Sequence, residues 1–349
     1  MKSIKTFCNK HAKFLTIFFI TASILMIVAA CLIYFFSTPP YSVTTYSMGS
    51  YIHQTLFGSK KEQTAQDVAK NITELENLIS WKIEDSDIFN LNKNAGDDFI
   101  EINDITYDIL ELANNVSDES DGAFDLTIAP ISRLWNFDST PSLPDVDTIE
   151  DFLPNVNYGF LSLLENGTAA LQKKGTALDL GAIGKGAACD VAYETYKNSD
   201  ISRAIIAVGG SVGVYGRKPF EEPWKIELKN PYEANVIGTI SIFDGFISTS
   251  GSYEKTFEKD SITYHHILDP KTGYPAHSDL VSVTVHSNSG ALSDALSTAC
   301  FVLGYDKSLK ILQTFDAQAI FITQDNKIFT TPEITDNFHL TSSDFTHVH

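Results

Sequence analysis

The sequence has little cysteine, little positive charge and few patterns that bind transition metals. Only 4 cysteines occur in 349 residues, without a C-x-x-C pair or a histidine-rich cluster. This excludes a disulfide-dense scaffold and a zinc-finger type of domain. Lys and Arg total 25 against 44 Asp and Glu, which gives a formal net charge of −19. Such a surface repels phosphate backbones, so we expect no nucleic-acid partner.

The longest uncharged run lies at the N-terminus. Residues 14–36 contain no charged side chain, and the four lysines before them are Lys2, Lys5, Lys10 and Lys13. As a helix, this run is long enough to span about 30 Å of hydrocarbon. The lysines predict a cytoplasmic basic segment over residues 1–13, with the rest of the protein on the outer face of the cell membrane.

Two fates of this hydrophobic segment remain open. Val28-Ala29-Ala30-Cys31 resembles a bacterial lipobox, in which Cys31 would be lipidated after cleavage. The apolar run continues to Phe36, however, which favours an uncleaved membrane anchor over a lipoprotein signal. Either fate tethers the remainder through a linker that we predict over residues 37–45.

The remaining chain mixes helical and strand-like patterns without strict alternation. Apolar residues at helical spacing predict helices over residues 61–81 and 103–116. Further helices are predicted over residues 184–196 and 291–303, with a short one over 148–153. Short strand-like runs are predicted over residues 160–164, 169–172, 204–208, 225–228, 238–242 and 281–286. This pattern predicts an α+β fold.

Two cysteines belong to this part of the chain. Cys189 and Cys300 each lie among small apolar residues, and this environment favours buried, unpaired thiols. A disulfide between them stays open because the predicted compartment is oxidising.

A glycine-rich segment over residues 179–186 precedes a predicted helix and follows a strand-like run. Glycines let backbone amides approach an anion, and Lys185 adds a positive charge beside the helix N-terminus. The spacing matches neither a P-loop nor a dinucleotide fingerprint. Phosphate binding and a tight strand–helix turn therefore both remain open from this segment alone.

Two further segments carry polar groups that suit catalysis. Pro270 and Gly273 predict a turn. His266 and Asp269 lie just before this turn and are three residues apart, so they could act as a base and an anchoring carboxylate. A structural histidine pair remains the alternative. On the last predicted helix, Asp294 and Thr298 are spaced to face one side, where they could share Mg²⁺, or simply be a cap and a surface hydroxyl.

Seven segments follow one another in a recognisable order along the chain. They are Met48-Gly49-Ser50, Trp81 with residues 85–92, 120–127, 179–186, 248–251, 265–275 and 294–298. In their order and spacing these segments resemble the ApbE family of FAD:protein FMN transferases. The resemblance covers residues 46–332 and leaves a C-terminal tail over 333–349. Leu126 stands where proline is usual and Gly184 where alanine is common, and neither change removes a chemical group.

The resemblance implies a two-lobed α+β enzyme with FAD in the cleft between its lobes. It implies Mg²⁺-dependent transfer of FMN from FAD to a Ser or Thr hydroxyl of an acceptor protein, with release of AMP. His266 and Asp294 would be catalytic, with His266 as the base. Asp294, Thr298 and the carbonyl of Ala182 would hold Mg²⁺. The residues implied at the FAD site are Met48, Trp81, Ala123, Phe124, Asp125, Asp179, Lys185, Leu268 and Asp269.

Two other functions fit parts of the same sequence. An FAD pyrophosphatase or FAD-binding protein would keep the same cleft, and release of FMN and AMP without an acceptor would identify the hydrolase. A tethered, non-catalytic adhesin would lack FAD binding. Because no FMN-binding domain is fused to the chain, the resemblance implies an extracytoplasmic acceptor flavoprotein that is supplied in trans.

Overall fold

The N-terminal segment is one helix, α1 (Lys2–Ser37), in the computed structural model of the chain. The structure describes the backbone of residues 2–37, 39–218 and 222–348, and side chains for 13–31, 39–218 and 222–348. Residues Lys13–Cys31 are long and apolar enough to cross a membrane, a property that signal sequences share. Most of the predicted basic segment, with Cys8, lies outside the described side chains, and Thr38 lies outside the described residues.

The rest of the chain, Tyr41–His349, is a second compact unit. Its helices are α2 (Lys61–Ile79), α3 (Asp87–Lys93), α4 (Asp104–Glu119), α5 (Ala129–Trp135), α6 (Val146–Phe152), α7 (Gly184–Lys197), α8 (Gly290–Leu303), α9 (Tyr305–Thr314) and α10 (Pro332–Thr335). Its strands are β1 (Tyr41–Ser47), β2 (Ser50–Gly58), β3 (Ile100–Glu101), β4 (Leu161–Leu164), β5 (Thr168–Leu171), β6 (Ile201–Val208), β7 (Ser211–Tyr215), β8 (Trp224–Lys229), β9 (Val236–Ile242), β10 (Gly245–Gly251), β11 (Thr256–Lys259), β12 (Ile262–His265), β13 (Leu280–Ser287), β14 (Gln318–Thr323), β15 (Lys327–Thr330), β16 (Phe338–Leu340) and β17 (Thr346–Val348).

A nine-stranded sheet organises this unit, in the order β1-β2-β6-β7-β10-β13-β14-β15-β17. Neighbouring strands are antiparallel except for β15 and β17, which are parallel. Smaller sheets have the orders β16-β9-β8, β3-β5-β4 and β11-β12. A mixed, mostly antiparallel sheet with helices packed on it confirms the predicted α+β class.

The main hydrophobic cluster joins the large sheet to helices α2, α4, α7 and α8 and extends to the small sheet β3-β5-β4. A second cluster is formed by the sheet β16-β9-β8 and by side chains of β7, β10, β13, β14 and β15. Because strand side chains alternate between faces, the large sheet can bury apolar residues on both sides. The large sheet therefore separates two hydrophobic clusters, one on each of its faces.

A third, smaller cluster surrounds Trp135 at the end of α5. Ile131, Ile149 and Leu268 are buried beside it, together with partly buried aromatic residues that include Phe137 and residues of the β11-β12 hairpin. The indole Nε1 of Trp135 donates a hydrogen bond of 2.8 Å to the carbonyl of Gly273. This cluster holds the turn that follows β12.

The predicted helices are present, but three boundaries need correction. The linker predicted over residues 37–45 overlaps β1, which starts at Tyr41 because it pairs along its whole length with β2. The tail predicted over residues 333–349 contains β16 and β17, which pair with β9 and β15. Both strands depend on partners distant in sequence, which local patterns do not reveal.

The third correction concerns the segment before the glycine-rich turn. We expected residues 179–186 to follow a strand. β5 instead ends at Leu171, and only an isolated bridge between Ile128 and Ala177 follows it. The turn is therefore reached by irregular backbone, and its shape depends on side-chain hydrogen bonds.

The prediction of two buried, unpaired thiols is confirmed. Cys189 and Cys300 are buried and unpaired. Burial raises the pKa of the Cys300 thiol to about 12 and that of Cys189 well above its usual value. Both residues behave as small core side chains.

Candidate functional site

The N-terminal turns of α7 and α8 touch each other closely. A Cβ atom on Gly186 would lie 2.0 Å from the carbonyl oxygen of Gly290, so the approach requires glycine. Asp190, one turn further along α7, accepts hydrogen bonds from the amides of Gly290 (2.6 Å) and Ala291 (2.8 Å). Burial raises the pKa of Asp190, and these hydrogen bonds act in the opposite direction. They fix the start of α8 against α7.

This contact brings Asp294 to the glycine-rich turn. The amide of Gly186 donates a hydrogen bond of 2.9 Å to Oδ2 of the buried Asp294 carboxylate. In a regular helix that amide would donate to the carbonyl of Ala182, four residues earlier. No backbone amide in the described part of the chain donates to Ala182 instead. The Ala182 oxygen and Oδ1 of Asp294 are therefore available to a ligand.

Thr298 lies one turn after Asp294 on α8. Its hydroxyl is 3.1 Å from Oγ of Ser250 on β10, which also lies 2.7 Å from Oγ of Ser297. A carboxylate, a carbonyl and a hydroxyl are ligand types that Mg²⁺ prefers. Among the described residues there is no group of three or more His, Cys, Asp or Glu suited to a metal. A cation here would need water or substrate oxygens to complete its shell.

Side chains of the glycine-rich turn hold the turn itself. Asp179 accepts hydrogen bonds of 2.9 Å from the amide of Gly181 through Oδ1 and from the Ser132 hydroxyl through Oδ2. Lys185 donates a bond of 2.8 Å to the carbonyl of Gly181. Asp179 and Lys185 thus shape the predicted phosphate-binding segment in the structure.

Met48 forms the tip of the β1-β2 hairpin. The φ angles of Met48 and Gly49 are 55° and 65°, which makes this a type I′ turn with a non-glycine residue in the left-handed region. Such a conformation costs about 1–2 kcal/mol for an ordinary residue. The Met48 Cε atom lies 3.2 Å from where a Cβ on Gly184 would be. The hairpin tip therefore packs against the first residue of α7.

Trp81 follows α2 and is covered by two cations. The guanidinium of Arg133 lies 4.4 Å from the centre of the indole, and Lys82 Nζ lies 5.2 Å from it. Burial lowers the pKa of Arg133, and the Asp179 charge opposes that change. Arg133 thus stacks on Trp81 and is within range of the Asp179 charge. Arg133 belongs to none of the motifs above. The one feature of the sequence that could have drawn attention to it is that the chain has only three arginines.

The predicted FAD-site segment Ala123-Phe124-Asp125 is buried. Oδ1 of Asp125 accepts hydrogen bonds from the amide (2.7 Å) and hydroxyl (2.6 Å) of Thr127, and Oδ2 accepts one of 2.9 Å from the amide of Tyr158. Burial raises the pKa of Asp125, and these bonds oppose the rise. Both carboxylate oxygens thus stabilise the loop, and contact of this segment with FAD stays a prediction.

Asp269 stabilises the predicted turn after β12. Its Oδ1 accepts a hydrogen bond of 2.9 Å from the amide of Lys271, and its carbonyl accepts one of 2.8 Å from the amide of Gly273. Gly273 has a φ of 75°, which explains the glycine. Leu268 is buried in the cluster around Trp135. Neither Leu268 nor the Asp269 carboxylate contacts Asp294 or Thr298 through a hydrogen bond in the described structure.

His266 directly follows β12. Its Nδ1 atom is buried without a hydrogen-bond partner, and its ring centre lies 6.4 Å from that of Phe137. Burial lowers the pKa of His266 to about 3, and the charges of Lys255 and Lys185 act in the same direction. The imidazole is therefore neutral at neutral pH and has a lone pair that can accept a proton.

An ion-pair bridge connects the Trp81 segment with His266. Asp138 lies 2.6 Å from Nζ of Lys82 and 2.6 Å from Nζ of Lys255. Burial opposes ionisation of Asp138, but hydrogen bonds and charges from both lysines outweigh it and lower its pKa to about 2. The carbonyl of Lys255 accepts a 3.1 Å hydrogen bond from the His266 amide. No sequence motif pointed to Asp138, because its partners are distant in sequence.

The structure brings some of the expected site residues near one another and leaves others apart. Met48 packs on the start of α7, and Arg133 stacks on Trp81. The charges of Lys185 and Lys255 lower the pKa of His266, in addition to the larger effect of burial. A cavity of about 360 Å³ is lined by His265, Tyr274 and their neighbours, but not by His266 or Asp294. The adjacent residues His265 and His266 therefore lie in different environments.

Known proteins are similar to this chain in sequence. The ApbE family profile matches residues 48–321. An FAD:protein FMN transferase of Treponema pallidum is 31% identical over 299 residues, covering 80% of this chain and 82% of its own. A second FAD:protein FMN transferase, from Klebsiella pneumoniae, is 33% identical over 293 residues, covering 82% and 90%.

Solved structures extend the similarity to three dimensions. The crystal structure of the ApbE protein of Thermotoga maritima has a TM-score of 0.79 at 28% identity and covers 85% of this chain and 99% of its own. The apo form of the flavinyl transferase ApbE of Pseudomonas stutzeri has a TM-score of 0.76 at 27% identity, covering 87% and 98%. From its sequence and its fold, the chain belongs to the ApbE family.

Proposed function

We propose that this chain is an FAD:protein FMN transferase. It would use Mg²⁺ to transfer FMN from FAD to a Ser or Thr hydroxyl of an acceptor protein and would release AMP. The observation that supports this most directly is the junction of α7 and α8. There the Gly186 amide binds Asp294 and leaves the Ala182 carbonyl without a backbone donor.

The reaction is a phosphoryl transfer. The acceptor hydroxyl oxygen forms a bond to the phosphorus of the FMN half, and the bond from that phosphorus to the bridging oxygen of the pyrophosphate breaks. The bridging oxygen leaves with AMP. The hydroxyl proton passes to the imidazole of His266. Positioning and charge stabilisation supply most of the catalysis in such reactions.

Asp294, Thr298 and the carbonyl of Ala182 would hold Mg²⁺. The bound cation would supply positive charge to the pyrophosphate oxygens. Asp294 is the single carboxylate of this ligand set, and its Gly186 hydrogen bond fixes its orientation before any ligand arrives. A ligand set held by hydrogen bonds loses little conformational freedom on binding.

His266 would act as the general base. A pKa of about 3 makes the free imidazole a weak base, since a catalytic base works best with a pKa near the operating pH. The negative pyrophosphate of FAD would offset the charges of Lys185 and Lys255, which contribute to the low pKa. Substrate binding would thereby make His266 more basic.

The walls of the FAD site would come from several segments. Met48 and Trp81 offer apolar and aromatic surface suited to flavin or adenine. Lys185 would approach the pyrophosphate. Asp179, the segment Ala123-Phe124-Asp125, Leu268 and Asp269 would complete the site, mainly by holding their loops in place.

The helix α1 would tether the enzyme to the cell membrane, with the catalytic unit on the extracytoplasmic face. The acceptor would then be an extracytoplasmic flavoprotein supplied in trans. Fractionation of cells and protease treatment of intact spheroplasts test this placement. A Cys31→Ala variant separates the two fates of the segment, because it blocks lipidation and leaves an uncleaved anchor unchanged.

The central experiment is incubation of the full-length protein with FAD, Mg²⁺ and candidate extracytoplasmic flavoproteins. Mass spectrometry of the acceptor would detect covalent FMN, and chromatography would detect AMP. Equal amounts of adduct and AMP are expected. Free FMN and AMP without any adduct would identify an FAD pyrophosphatase instead. A chelator of divalent cations is expected to stop the reaction.

A further inference from the structure

The strand β1 forms one edge of the nine-stranded sheet. Its register with β2 runs from Tyr41↔Leu56 to Ser47↔Ser50, closed by the two-residue turn at Met48 and Gly49. In such a hairpin the residues that flank the turn form a hydrogen-bonded pair, and bonded and non-bonded pairs then alternate. The hydrogen-bonding pattern of β1 therefore follows from the turn.

Three residues of β1 direct their backbone groups away from β2. Ser42, Thr44 and Tyr46 belong to the non-hydrogen-bonded pairs, in which side chains lie closer across the strands. The observed contacts agree, with Ser42–Thr55 at 2.9 Å between hydroxyls, Thr44–His53 at 3.0 Å, and Tyr46–Tyr51 rings 5.5 Å apart. In the described part of the chain no backbone group pairs with these three residues on the outer side.

The edge of β1 lacks the two kinds of protection that are found at β17 and β8. Exposed edge strands are usually kept short or carry charged residues, which prevents unwanted pairing. At the opposite edge β17 has only three residues, and the edge strand β8 carries the exposed charges Lys225, Glu227 and Lys229. β1 has seven residues with no charge and no proline, although the chain has a net charge of −19.

The strand also ends at the candidate site. Ser47 leads into Met48, whose side chain packs against Gly184 at the start of α7. Just after the turn, Ser50 lies close to Gly209, which the Lys185 side chain also approaches. A polypeptide paired along β1 would therefore be guided to the residues proposed to bind the FAD pyrophosphate.

We propose that β1 is the docking edge for the acceptor protein, whose extended segment adds to the sheet as a further strand. The inference rests on the proposed transferase function, because that reaction must bring a protein hydroxyl to the site. Unpaired amides and carbonyls of Ser42, Thr44 and Tyr46 supply the hydrogen bonds, and the exposed rings of Tyr46 and Tyr51 supply apolar contact. Backbone pairing tolerates different acceptor sequences.

A Thr44→Pro variant tests this docking edge. Proline removes the outward amide of Thr44, which β2 does not use, and proline is tolerated at such edge positions. Thr44→Val is the matched control, since it also loses the contact to His53 but keeps the amide. With the full-length protein, the KM for the acceptor should rise about tenfold in Thr44→Pro. FAD affinity should stay unchanged in both variants.

Equal acceptor KM values for Thr44→Pro and Thr44→Val would overturn the docking edge while leaving the transferase function intact. Failure of the wild-type protein to modify any protein acceptor would instead overturn the transferase function. Should Thr44→Pro not fold, amide hydrogen exchange on the wild-type protein decides the matter.

The exchange experiment uses FAD-loaded protein and an acceptor whose reactive hydroxyl is replaced by alanine. Strand addition predicts slower exchange at Ser42, Thr44 and Tyr46, and little change at the already bonded Val43 and Thr45. Protection without this alternation would overturn strand addition. Dimerisation of the protein alone through β1, seen as the same alternating protection at high concentration without acceptor, would assign the edge to a second copy and also overturn the proposal.

Discussion

Two regions of the candidate site are built in different ways. The helix junction (Gly186, Asp190, Gly290 and Asp294) is closed by a glycine–glycine contact and by backbone amides that donate hydrogen bonds to the buried Asp294 and the partly buried Asp190 carboxylates. The ion-pair bridge (Lys82, Asp138 and Lys255) joins side chains that are each about half exposed to solvent. One region is fixed by packing, and the other is adjustable by charge and salt.

The difference suits the chemistry proposed for each region. A metal site needs oxygen ligands in fixed positions, and buried hydrogen bonds to the backbone provide them. A base that works on a charged substrate must change its basicity when that substrate arrives, and nearby solvated charges permit this. Each prediction below tests whether the helix junction is rigid or whether His266 responds to nearby charges.

Loss of the Asp294 carboxylate should have the largest effect. Asp294→Ala removes the proposed metal carboxylate and should lower FMN transfer on the order of 10³-fold or more. It also leaves the Gly186 amide without a hydrogen-bond acceptor, which should lower the unfolding free energy by about 1–3 kcal/mol. Asp294→Asn is the control, because its amide oxygen can still accept from Gly186. It should keep the stability and lose the transfer and the Mg²⁺ dependence.

Replacement of His266 should come next. His266→Ala should slow single-turnover transfer by about 10²–10⁴-fold while the FAD dissociation constant changes little, because a base acts in the transition state. His265→Gln is the matched control on the neighbouring residue, which lines a different cavity, and should change the rate only slightly. A proportional loss of FAD affinity and rate in His266→Ala would make His266 a binding residue.

The pH dependence of stability should also report on His266. Its pKa is lowered from 6.5 to about 3 in the folded protein, so the unfolded chain binds more protons between these values. Folding stability should therefore fall as the pH drops from 6.5 toward 3. Chemical denaturation at several pH values should show a weaker fall in His266→Gln. An identical pH profile would mean that His266 is solvated in the folded state.

Gly186→Ala tests the packing of the helix junction. Alanine normally stabilises a helix relative to glycine by about 0.5–1 kcal/mol. Here the added Cβ would meet the Gly290 carbonyl, so we expect a loss of about 1–3 kcal/mol of unfolding free energy instead. Denaturant titration measures this change. A stabilised variant would show that the two helices can separate and that the junction is not rigid.

Asp138→Asn should have the smallest effect on stability. Half-exposed ion pairs contribute about 1 kcal/mol or less and weaken in salt. The lowered pKa of Asp138 gives stability that is present above its unfolded pKa and lost as the pH falls toward about 2. The variant should therefore match the wild type at low pH. In activity, loss of the Asp138 charge should lower the pKa of His266 further and move the pH–rate profile to lower pH.

Much of the fold could be predicted from local sequence patterns. The helices α2 and α4 follow from the periodic spacing of apolar residues, and the turn after β12 follows from Pro270 and Gly273. The family could be predicted as well, because its motifs keep their order along the chain. The helices and the turn depend on residues that are near one another in sequence, and each family motif is itself a short segment.

The predicted linker and tail were wrong because β1, β16 and β17 exist only through pairing with distant strands. Arg133 and Asp138 could not be predicted, since the partners that give them a role are far away in sequence. The hydrogen bonds that the Asp125 carboxylate accepts from nearby loop residues could not be predicted either.

The sequence by itself determined which chemical groups this protein has: one carboxylate and one hydroxyl spaced by a helical turn on α8, a histidine before a tight turn, and a glycine-rich helix start. Only the tertiary structure decided how they are prepared for use. The Gly186 amide donates its hydrogen bond to Asp294 rather than to Ala182, because two glycines let α7 and α8 come into contact. Gly186 and Asp294 are more than a hundred residues apart in sequence. Hydrogen bonds of that range depend on packing of the whole core, which no local pattern encodes.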